Sequence, residues 1–532
     1  MQRHFRQGRT TVGIGVSWGN VSPKRRYPIA ILAATATLAG AGSASANTIT
    51  GTTYDPTYVP TSMYRATYNT GARGFWQAGY NGKGVDVAII DTGVNRVRGL
   101  DQPGKVIDGP DLSFDSQNSS LRNRDGYGHG THLAGIIAGN DDLGDFAFTW
   151  PKVDANNSAA FYGMAPNARI INLKVGASNG TVDVTQVIAA LNWAVQHKND
   201  NGMNIRVLCL AYGTDGRQDY RSDPLAFAVE NAWKNGITVV TAAGNFGRNS
   251  GGKGPGLANP AMDPTVIAVG AQDARGTVDP SDDRSADFSS NGTDDWALTA
   301  RSPDFTAPGV SLPSLRVPGS YLDRNYGGVA VVGTRFFKGS GSSQAAAVVA
   351  GAAALIISQR PYVTPDQVKA LLRNGGIFVM PETRGAQGTG RMNLWSVLNR
   401  TVSETPGPAA PPSLGNGSVD VSRGSKHVSL NGTAITGNVD IFGHPFDSAA
   451  LSGLAANTAA WSGGSWNGST WTGSTWTGST WTGSTWTGST WTGSTWTGST
   501  WTGSTWTGST WTGDSWASAL PPRKHPLKPV KH

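Results

Sequence analysis

Short runs of consecutive apolar residues recur along the first 400 residues, separated by segments with helical spacing. Residues 184–196 and 224–234 place apolar side chains every three or four positions, which predicts two amphipathic helices. Strands that alternate with helices form βαβ units, and apolar runs without polar alternation indicate a sheet covered on both faces. The pattern therefore predicts an α/β fold with a mostly parallel central sheet. The runs that predict its strands are 85–90, 168–175, 207–210, 238–243 and 266–270.

The N-terminal end has the pattern of a secretory signal. Three basic residues at 24–26 precede an apolar run at 29–38, and Ala44 and Ala46 follow at the spacing of a cleavage site. We expect residues 1–46 to be a bacterial export signal cleaved after Ala46; the alternative is an uncleaved N-terminal anchor. No other segment approaches the ~18 apolar residues of a membrane span. The mature chain is thus predicted to be secreted, either extracellular or associated with the cell surface.

Charge is concentrated at the two ends of the chain. The formal net charge is +8, but ten basic residues lie in the first 46 and last ten positions, and the remainder carries −2. Since the part between them is not basic, nucleic-acid binding is not expected. The single cysteine, Cys209, excludes a disulfide scaffold and lies in an apolar run, where a buried structural thiol is expected.

Composition also divides the chain into segments around the α/β body. Only 44 residues separate Ala46 from Asp91, too few for a further folded N-terminal domain beside the start of the α/β body. The predicted segments are an N-terminal arm (47–70), the α/β domain (71–400), a Pro-rich linker (401–416), a small β-rich segment (417–460), a Trp-repeat array (461–516) and a basic tail (517–532).

Tryptophan recurs every five residues from Trp461 to Trp516, twelve times in all, mostly in the unit Trp-Thr-Gly-Ser-Thr. Steps of five do not place Trp on one face of a helix, and on a continuous strand successive Trp alternate faces. One interpretation is a binding array that contacts cell wall or another polysaccharide by stacking on sugar rings. Others are a low-complexity spacer or a coil that turns once per repeat. The sequence leaves these interpretations open.

Polar residues stand where parallel-sheet folds place their active sites: Asp91 and Asn245 each come just after a strand. His129 opens one apolar helix, and Ser343 opens another. A serine hydroxyl becomes a nucleophile when a base accepts its proton, and the base needs a carboxylate to fix its tautomer. The chain thus contains the three groups that acyl transfer requires. Taken singly, Asp91 and Ser343 are also compatible with helix caps, and His132 is expected to be structural.

These segments resemble the subtilisin-like serine peptidases, or subtilases, over about residues 71–400. By that resemblance Asp91 is the orienting acid, His129 the general base and Ser343 the nucleophile. Asn245 is then the side chain that donates into the oxyanion hole. The fold implied is the subtilisin-like three-layer sandwich, and the low-complexity Trp-repeat tail is similar to those of secreted actinobacterial subtilases.

The same resemblance places the substrate pocket around Ala211, Gly213, Ala242 and Gly244. None of these residues is charged, so we expect an apolar or aromatic residue before the scissile bond. Ser342 stands where the family usually has Thr, another small hydroxyl residue.

The sequence therefore predicts a secreted serine endopeptidase that hydrolyses proteins or peptides through an acyl-enzyme. The alternative is a non-catalytic protein on a peptidase scaffold, which binds the cell envelope or a polysaccharide through its repeats. No cofactor is expected for the chemistry. Relatives hold structural Ca²⁺, but no EF-hand spacing is present, so the sequence assigns no metal-binding residue.

Overall fold

The computed structural model describes the central part of the chain together with the first repeats. The predicted signal at 1–46 and the basic tail at 517–532 lie outside the described residues. Described are residues 55–487, apart from the gaps 117, 143–152, 248–255, 293–300, 403–409, 431–432, 463, 473–474, 478–479 and 483–484.

In the described part of the chain, an eight-stranded sheet forms the centre of the fold. Its strands are β1 (Asp86–Asp91), β2 (Val106–Asp111), β3 (Arg169–Lys174), β4 (Ile205–Leu210), β5 (Thr238–Ala242), β6 (Ile267–Asp273), β7 (Arg284–Ser285) and β8 (Phe305–Pro308). Their order is β2-β3-β1-β4-β5-β6-β7, with β8 also paired to β6. All pairs are parallel except β6–β7. The predicted α/β class with a mostly parallel central sheet is confirmed.

Helices connect and cover these strands. They are α1 (Met63–Asn69), α2 (Ala72–Gln77), α3 (His129–Ala138), α4 (Val184–Gln196), α5 (Pro224–Lys234), α6 (Tyr321–Ala330), α7 (Ser342–Gln359), α8 (Pro365–Gly375), α9 (Arg384–Gln387), α10 (Trp395–Leu398), α11 (Val419–Arg423) and α12 (Ser448–Ala456). Both predicted helices, α4 and α5, are confirmed. Asp183 begins α4 with a capping box, and Asp223 accepts from the first turn of α5.

Helix α7 runs through the core, where it packs against α3 and the sheet. All of its residues from Ser342 to Ile357 are buried. Small residues allow this close packing, because a Cβ at Gly351 would lie 2.4 Å from Cβ of Met164. Contrary to the expectation that no segment after the leader approaches the length of a membrane span, α7 is long and apolar enough, the one such helix among the described residues, and 89% of that apolar stretch is buried inside the protein. It is a core helix.

The N-terminal arm predicted at 47–70 is not separate from the domain in its described part. Helix α1 lies within this range, and Met63 and Ala66 belong to the main hydrophobic core. Because these two apolar residues are three positions apart, one face of α1 is buried. The domain therefore begins before residue 71.

The C-terminal segment differs from the prediction of a linker followed by a small β-rich region. Its described residues form the helices α11 and α12 and the strands β12 (Ser429–Leu430) and β13 (Thr433–Ala434), which have two residues each. The described part of the predicted linker packs on the domain, since Ser413 N–H donates to Glu230 at 2.8 Å. The prediction that residues 417–460 are rich in β-strands was wrong. Asp447 caps α12, and the buried Leu451 and Ala455 are four positions apart, so they lie on one face of that helix.

The first repeats form short antiparallel strands, beginning with β14 (Trp461–Ser462), β15 (Ser465–Trp466) and β16 (Ser469–Thr472). Trp461 is the direct cross-strand partner of Trp466. The chain reverses direction within the repeat, so these two Trp share a face, contrary to the alternation expected for a continuous strand. Both side chains are buried in the main hydrophobic core. Three further strands are β17 (Thr475–Thr477), β18 (Thr480–Thr482) and β19 (Thr485–Thr487).

An antiparallel three-stranded sheet lies beside α3. It consists of β9 (Leu312–Leu315), β10 (Val331–Val332) and β11 (Phe336–Gly339), and α6 is inserted between β9 and β10.

Candidate active site

Asp91 and His129 form a buried hydrogen-bonded pair. Asp91 is the last residue of β1 and His129 the first residue of α3. The Nδ1 atom of His129 lies 2.8 Å from Oδ1 and 2.9 Å from Oδ2 of Asp91. Since a carboxylate only accepts, Nδ1 carries the proton, and in the neutral ring Nε2 is the acceptor. Both side chains are at most 1% exposed.

A second buried carboxylate, Asp125, holds the loop that leads into His129. It accepts from Gly128 N–H at 2.6 Å, from Thr131 N–H at 2.8 Å and from the Thr92 hydroxyl at 2.8 Å. Burial raises the pKa of Asp125, although these donors act in the opposite direction. Asp125 was missed by the sequence analysis; its only signal is a carboxylate four residues before His129.

Ser343 is the second residue of α7, whose N-cap residue is Gly341. Its side chain is buried, and its Oγ donates to the carbonyl of Ala211 at 3.3 Å. Ala211 follows the last residue of β4, and β4 pairs with β1, which ends at Asp91. The hydroxyl therefore lies at the same carboxyl edge of the sheet as the Asp91–His129 pair.

Asn245 is held by the residue before the predicted nucleophile. Its Oδ1 accepts from the main-chain N–H of Ser342 at 3.0 Å and from the Ser342 hydroxyl at 2.9 Å. The Ser342 hydroxyl in turn accepts from Gly244 N–H at 3.1 Å. The Nδ2 atom of Asn245 is buried without a hydrogen-bond partner in the part of the chain that the structure describes.

The four predicted substrate-binding residues lie where β4 and β5 end. Ala211 and Gly213 follow β4, whereas Ala242 ends β5 and Gly244 follows it two residues later. All four are buried. Gly244 has a positive φ of 105°, and a Cβ there would lie 2.9 Å from Oγ of Ser290, so this turn requires glycine.

Two other candidate residues have structural surroundings. His132 is buried and donates from Nε2 to the carbonyls of Phe337, at 3.0 Å, and Leu312, at 3.2 Å. Burial, and next the nearby His129, lower the pKa of His132 to about 3. Cys209 is buried in β4, and burial raises the pKa of its thiol well above the usual range, so the thiolate is suppressed.

Within the described ranges, no group of three or more His, Cys, Asp or Glu side chains is arranged to hold a metal ion. Calcium ligands are mostly carboxylate and carbonyl oxygens. The expectation of structural Ca²⁺ stays a prediction without an assigned residue.

A family model described as the subtilase family matches residues 82–391, which is more than half of the chain. The chain belongs to the subtilase family. Subtilases are serine peptidases, and the matched range contains Asp91, His129, Asn245 and Ser343. The match ends before the C-terminal segment that carries α11 and α12.

Individual subtilases show the extent of the similarity. Serine protease AprX of Bacillus subtilis (strain 168) is 37% identical over 316 residues, covering 59% of this chain and 65% of AprX. Subtilisin DY of Bacillus licheniformis is 34% identical over 291 residues, covering 55% of this chain and 83% of that protein. This chain thus spans less than two thirds of AprX. A crystal structure of a cold adapted subtilisin-like serine proteinase aligns with a TM-score of 0.41 and 25% identity, covering 58% of this chain and 88% of the other.

Proposed function

We propose that this subtilase is a serine endopeptidase that cleaves peptide bonds with Asp91, His129 and Ser343. The observation that carries the proposal is the buried hydrogen bond between His129 Nδ1 and Asp91, 2.8 Å long. A carboxylate in this position fixes the imidazole tautomer and stabilises the imidazolium that forms when the base takes a proton. Family membership supports the same chemistry.

The proposed reaction has two steps, acylation of Ser343 and hydrolysis of the acyl-enzyme, and both use the same side chains. Nε2 of His129 accepts the proton of Ser343 while Oγ attacks the carbonyl carbon of the peptide. The oxyanion receives hydrogen bonds from Asn245 Nδ2 and from the N–H of Ser343, which lies in the first turn of α7. His129 then protonates the leaving amine, and water repeats the sequence on the acyl-enzyme while Asp91 stays ionised.

Proteins or peptides are the proposed substrates, with an apolar or aromatic residue before the scissile bond. The support is that Ala211, Gly213, Ala242 and Gly244 bring no charge to the edge of the sheet beside Ser343. The peptide is proposed to bind as an added strand along residues 211–213, through main-chain hydrogen bonds.

We also propose that the enzyme is exported and that its repeats contact the cell wall. The leader at 1–46 supports export, and sequencing the secreted protein from a first residue Asn47 tests it. Because Trp461 and Trp466 are buried, any wall contact must use the repeats from Trp471 onward. Sedimentation of the full chain with purified cell wall tests that contact, and the amount of the same protein that sediments without cell wall is the baseline.

The decisive experiment compares the wild type with Ser343→Ala by casein hydrolysis and by labelling with a fluorophosphonate probe. We expect both signals to disappear in the variant, because the probe bonds to an activated serine oxygen. Ser358→Ala is the matched control, since it removes a hydroxyl from the far end of the same helix, where Oγ donates to the Leu355 carbonyl at 2.9 Å. A folded, mature wild type that neither labels nor cleaves casein contradicts the proposal and favours the non-catalytic, envelope-binding alternative.

A further inference from the structure

Two loops leave the sheet on either side of Asp91. Residues 175–183 follow β3 and residues 211–216 follow β4, and both strands pair with β1, at whose end Asp91 lies. The 211–216 loop also contains Ala211, the acceptor for the Ser343 hydroxyl. An extended peptide that reaches Ser343 along this edge therefore lies between the two loops.

Consecutive residues of α11 contact both loops. Arg423 donates from Nε to Oδ2 of Asp183 at 2.7 Å, at the end of the 175–183 loop. The carbonyl of Ser422 accepts from the Thr214 hydroxyl at 2.5 Å, in the 211–216 loop. The approach is close, because a Cβ at Gly216 would lie 2.6 Å from the carbonyl oxygen of Val421.

The Arg423–Asp183 pair is fully buried, with both side chains 0% exposed. Arg423 also donates to the Gly437 carbonyl at 2.8 Å, and Asp183 accepts from Thr185 N–H at 2.9 Å. A guanidinium is a planar fork with fixed donor directions, so this pair specifies geometry as well as attraction.

The Ser422 hydroxyl extends the same connection beneath the 211–216 loop. It donates to Oδ2 of Asp223 at 2.6 Å, and the same oxygen accepts from Asn259 Nδ2 at 3.0 Å. Asn259 exchanges two main-chain hydrogen bonds with Thr214, at 2.9 and 3.0 Å. A buried polar network thus runs from α11 to the backbone that continues from Ala211.

We propose that α11 is a positioning element of the substrate cleft, which holds the 175–183 and 211–216 loops at a fixed separation through Arg423 and Ser422. This rests on the proposed peptidase function. Strand-like binding of a peptide needs main-chain donors and acceptors at set positions on the cleft wall, so a shift of either loop weakens binding. The helix lies outside the range matched by the family model, which ends at residue 391.

The test uses the full chain and two fluorogenic peptides, with one and with four residues before the scissile bond. The longer peptide reaches about 13 Å along the cleft. We expect Arg423→Met to raise KM for the longer peptide about tenfold, equivalent to 1.4 kcal/mol, with kcat unchanged. The KM for the shorter peptide and the rate of fluorophosphonate labelling should stay at wild-type values, since neither reaches the far parts of the loops.

Arg169→Met is the matched control. Arg169 donates to Asp86 at 2.6 and 2.7 Å, but this pair lies at the amino ends of β1 and β3, away from Asp91. A general loss of stability affects both variants, whereas loss of positioning affects only Arg423→Met. Hydrogen exchange gives a readout independent of catalysis: amides of both loops should exchange faster in Arg423→Met than in Arg169→Met.

A folded Arg423→Met protein whose KM values and loop exchange match those of Arg169→Met overturns the proposal. If Arg423→Met does not fold, Ser422→Ala decides, because it removes one hydroxyl; we expect a KM increase of about threefold for the longer peptide only. No increase in folded Ser422→Ala likewise overturns it. A wild type that fails to label refutes the peptidase proposal, and the exchange comparison then still accepts or rejects the positioning role.

Discussion

Asn245 Oδ1 accepts two hydrogen bonds from Ser342, one from the main-chain N–H at 3.0 Å and one from the hydroxyl at 2.9 Å. Because the amide group is planar, fixing its oxygen also fixes the direction of its nitrogen. That nitrogen is buried and has no partner among the described residues. An unpaired buried donor is costly in the resting protein and gains a partner when an oxyanion forms. Ser342 thus orients the Nδ2 group of Asn245, which is the proposed oxyanion donor.

Removing the Ser342 hydroxyl should therefore slow catalysis without weakening substrate binding. One neutral hydrogen bond contributes about 0.5–1.5 kcal/mol, so we expect Ser342→Ala to lower kcat by about 2-fold to 13-fold with KM unchanged. Steady-state kinetics normalised by active-site labelling measures the change, and Ser342→Thr, which keeps a hydroxyl, is the control. We expect Asn245→Ala, which removes the proposed donor itself, to have a larger effect, because removal of one oxyanion-hole donor lowers kcat by about 10²–10³. Equal kcat in the Ala and Thr variants would argue against the role of Ser342.

Gly130 leaves no space for a side chain beside the Asp91–His129 pair. A Cβ there would lie 2.2 Å from the Gly93 carbonyl oxygen and 3.1 Å from Oδ1 of Asp91. We expect Gly130→Ala to move the backbone next to His129 and to reduce the labelling rate by more than about tenfold, more than 1.4 kcal/mol. Gly328→Ala in α6 is the control, since a Cβ there meets nothing within 4 Å. A labelling rate equal in the two variants would show that the site tolerates the displacement.

Asp283 should make the fold less stable as the pH rises. Burial raises its pKa to about 7, with Arg391 acting in the opposite direction, and Gln272 donates a hydrogen bond to it. In the unfolded chain the pKa is about 3.9, so between roughly pH 4 and 7 the folded state binds more protons and stability falls with increasing pH.

We expect Asp283→Asn, which keeps the shape and an acceptor oxygen, to be more stable than the parent at pH 8. The gain should be of the order of 1 kcal/mol or more and should nearly disappear at about pH 3.5, below the pKa of the unfolded chain. Urea denaturation at both pH values, in a Ser343→Ala background that prevents self-digestion, measures it. A stability difference that is the same at the two pH values would contradict the raised pKa.

The sequence was sufficient to predict secondary-structure elements that have a strong local pattern of apolar residues. Strand β1 and helices α4 and α5 have continuous or periodic apolar residues and, for the two helices, Asp caps at Asp183 and Asp223. The candidate position of Asp91 followed from the rule that active sites lie at the carboxyl ends of parallel strands, whereas its pairing with His129 was implied by the resemblance to subtilases.

Features that depend on distant contacts could not be predicted. Helix α12 is rich in Ser, Ala and Gly, so its apolar periodicity is weak, and it is stable because Leu451 and Ala455 pack on the domain. Likewise, nothing local distinguishes Arg423 from an exposed arginine, since its partner Asp183 lies 240 residues earlier. The hydrogen bond from the Thr92 hydroxyl to Asp125 likewise could not be predicted, because the two residues are 33 positions apart.

Trp461 should stabilise the domain rather than bind a ligand. It is 4% exposed, and its Nε1 donates to the Ala189 carbonyl of α4 at 2.9 Å. The side-chain amide of Gln196, in the same helix, makes two hydrogen bonds with the backbone of Trp461. It accepts from the Trp461 N–H at 3.1 Å and donates to the Trp461 carbonyl at 2.9 Å. We expect Trp461→Ala to cost about 3–5 kcal/mol of unfolding free energy, the range for truncating a buried Trp.

Urea denaturation in the Ser343→Ala background measures this loss. Tyr362→Ala, an aromatic side chain that is 97% exposed, is the control and should stay within about 0.5 kcal/mol of the parent. A Trp461→Ala protein as stable as the control would mean that the first repeat is not anchored on α4. If the loss is observed, the array begins as part of the subtilase domain, and sugar or wall contact must come from the repeats that follow Trp466.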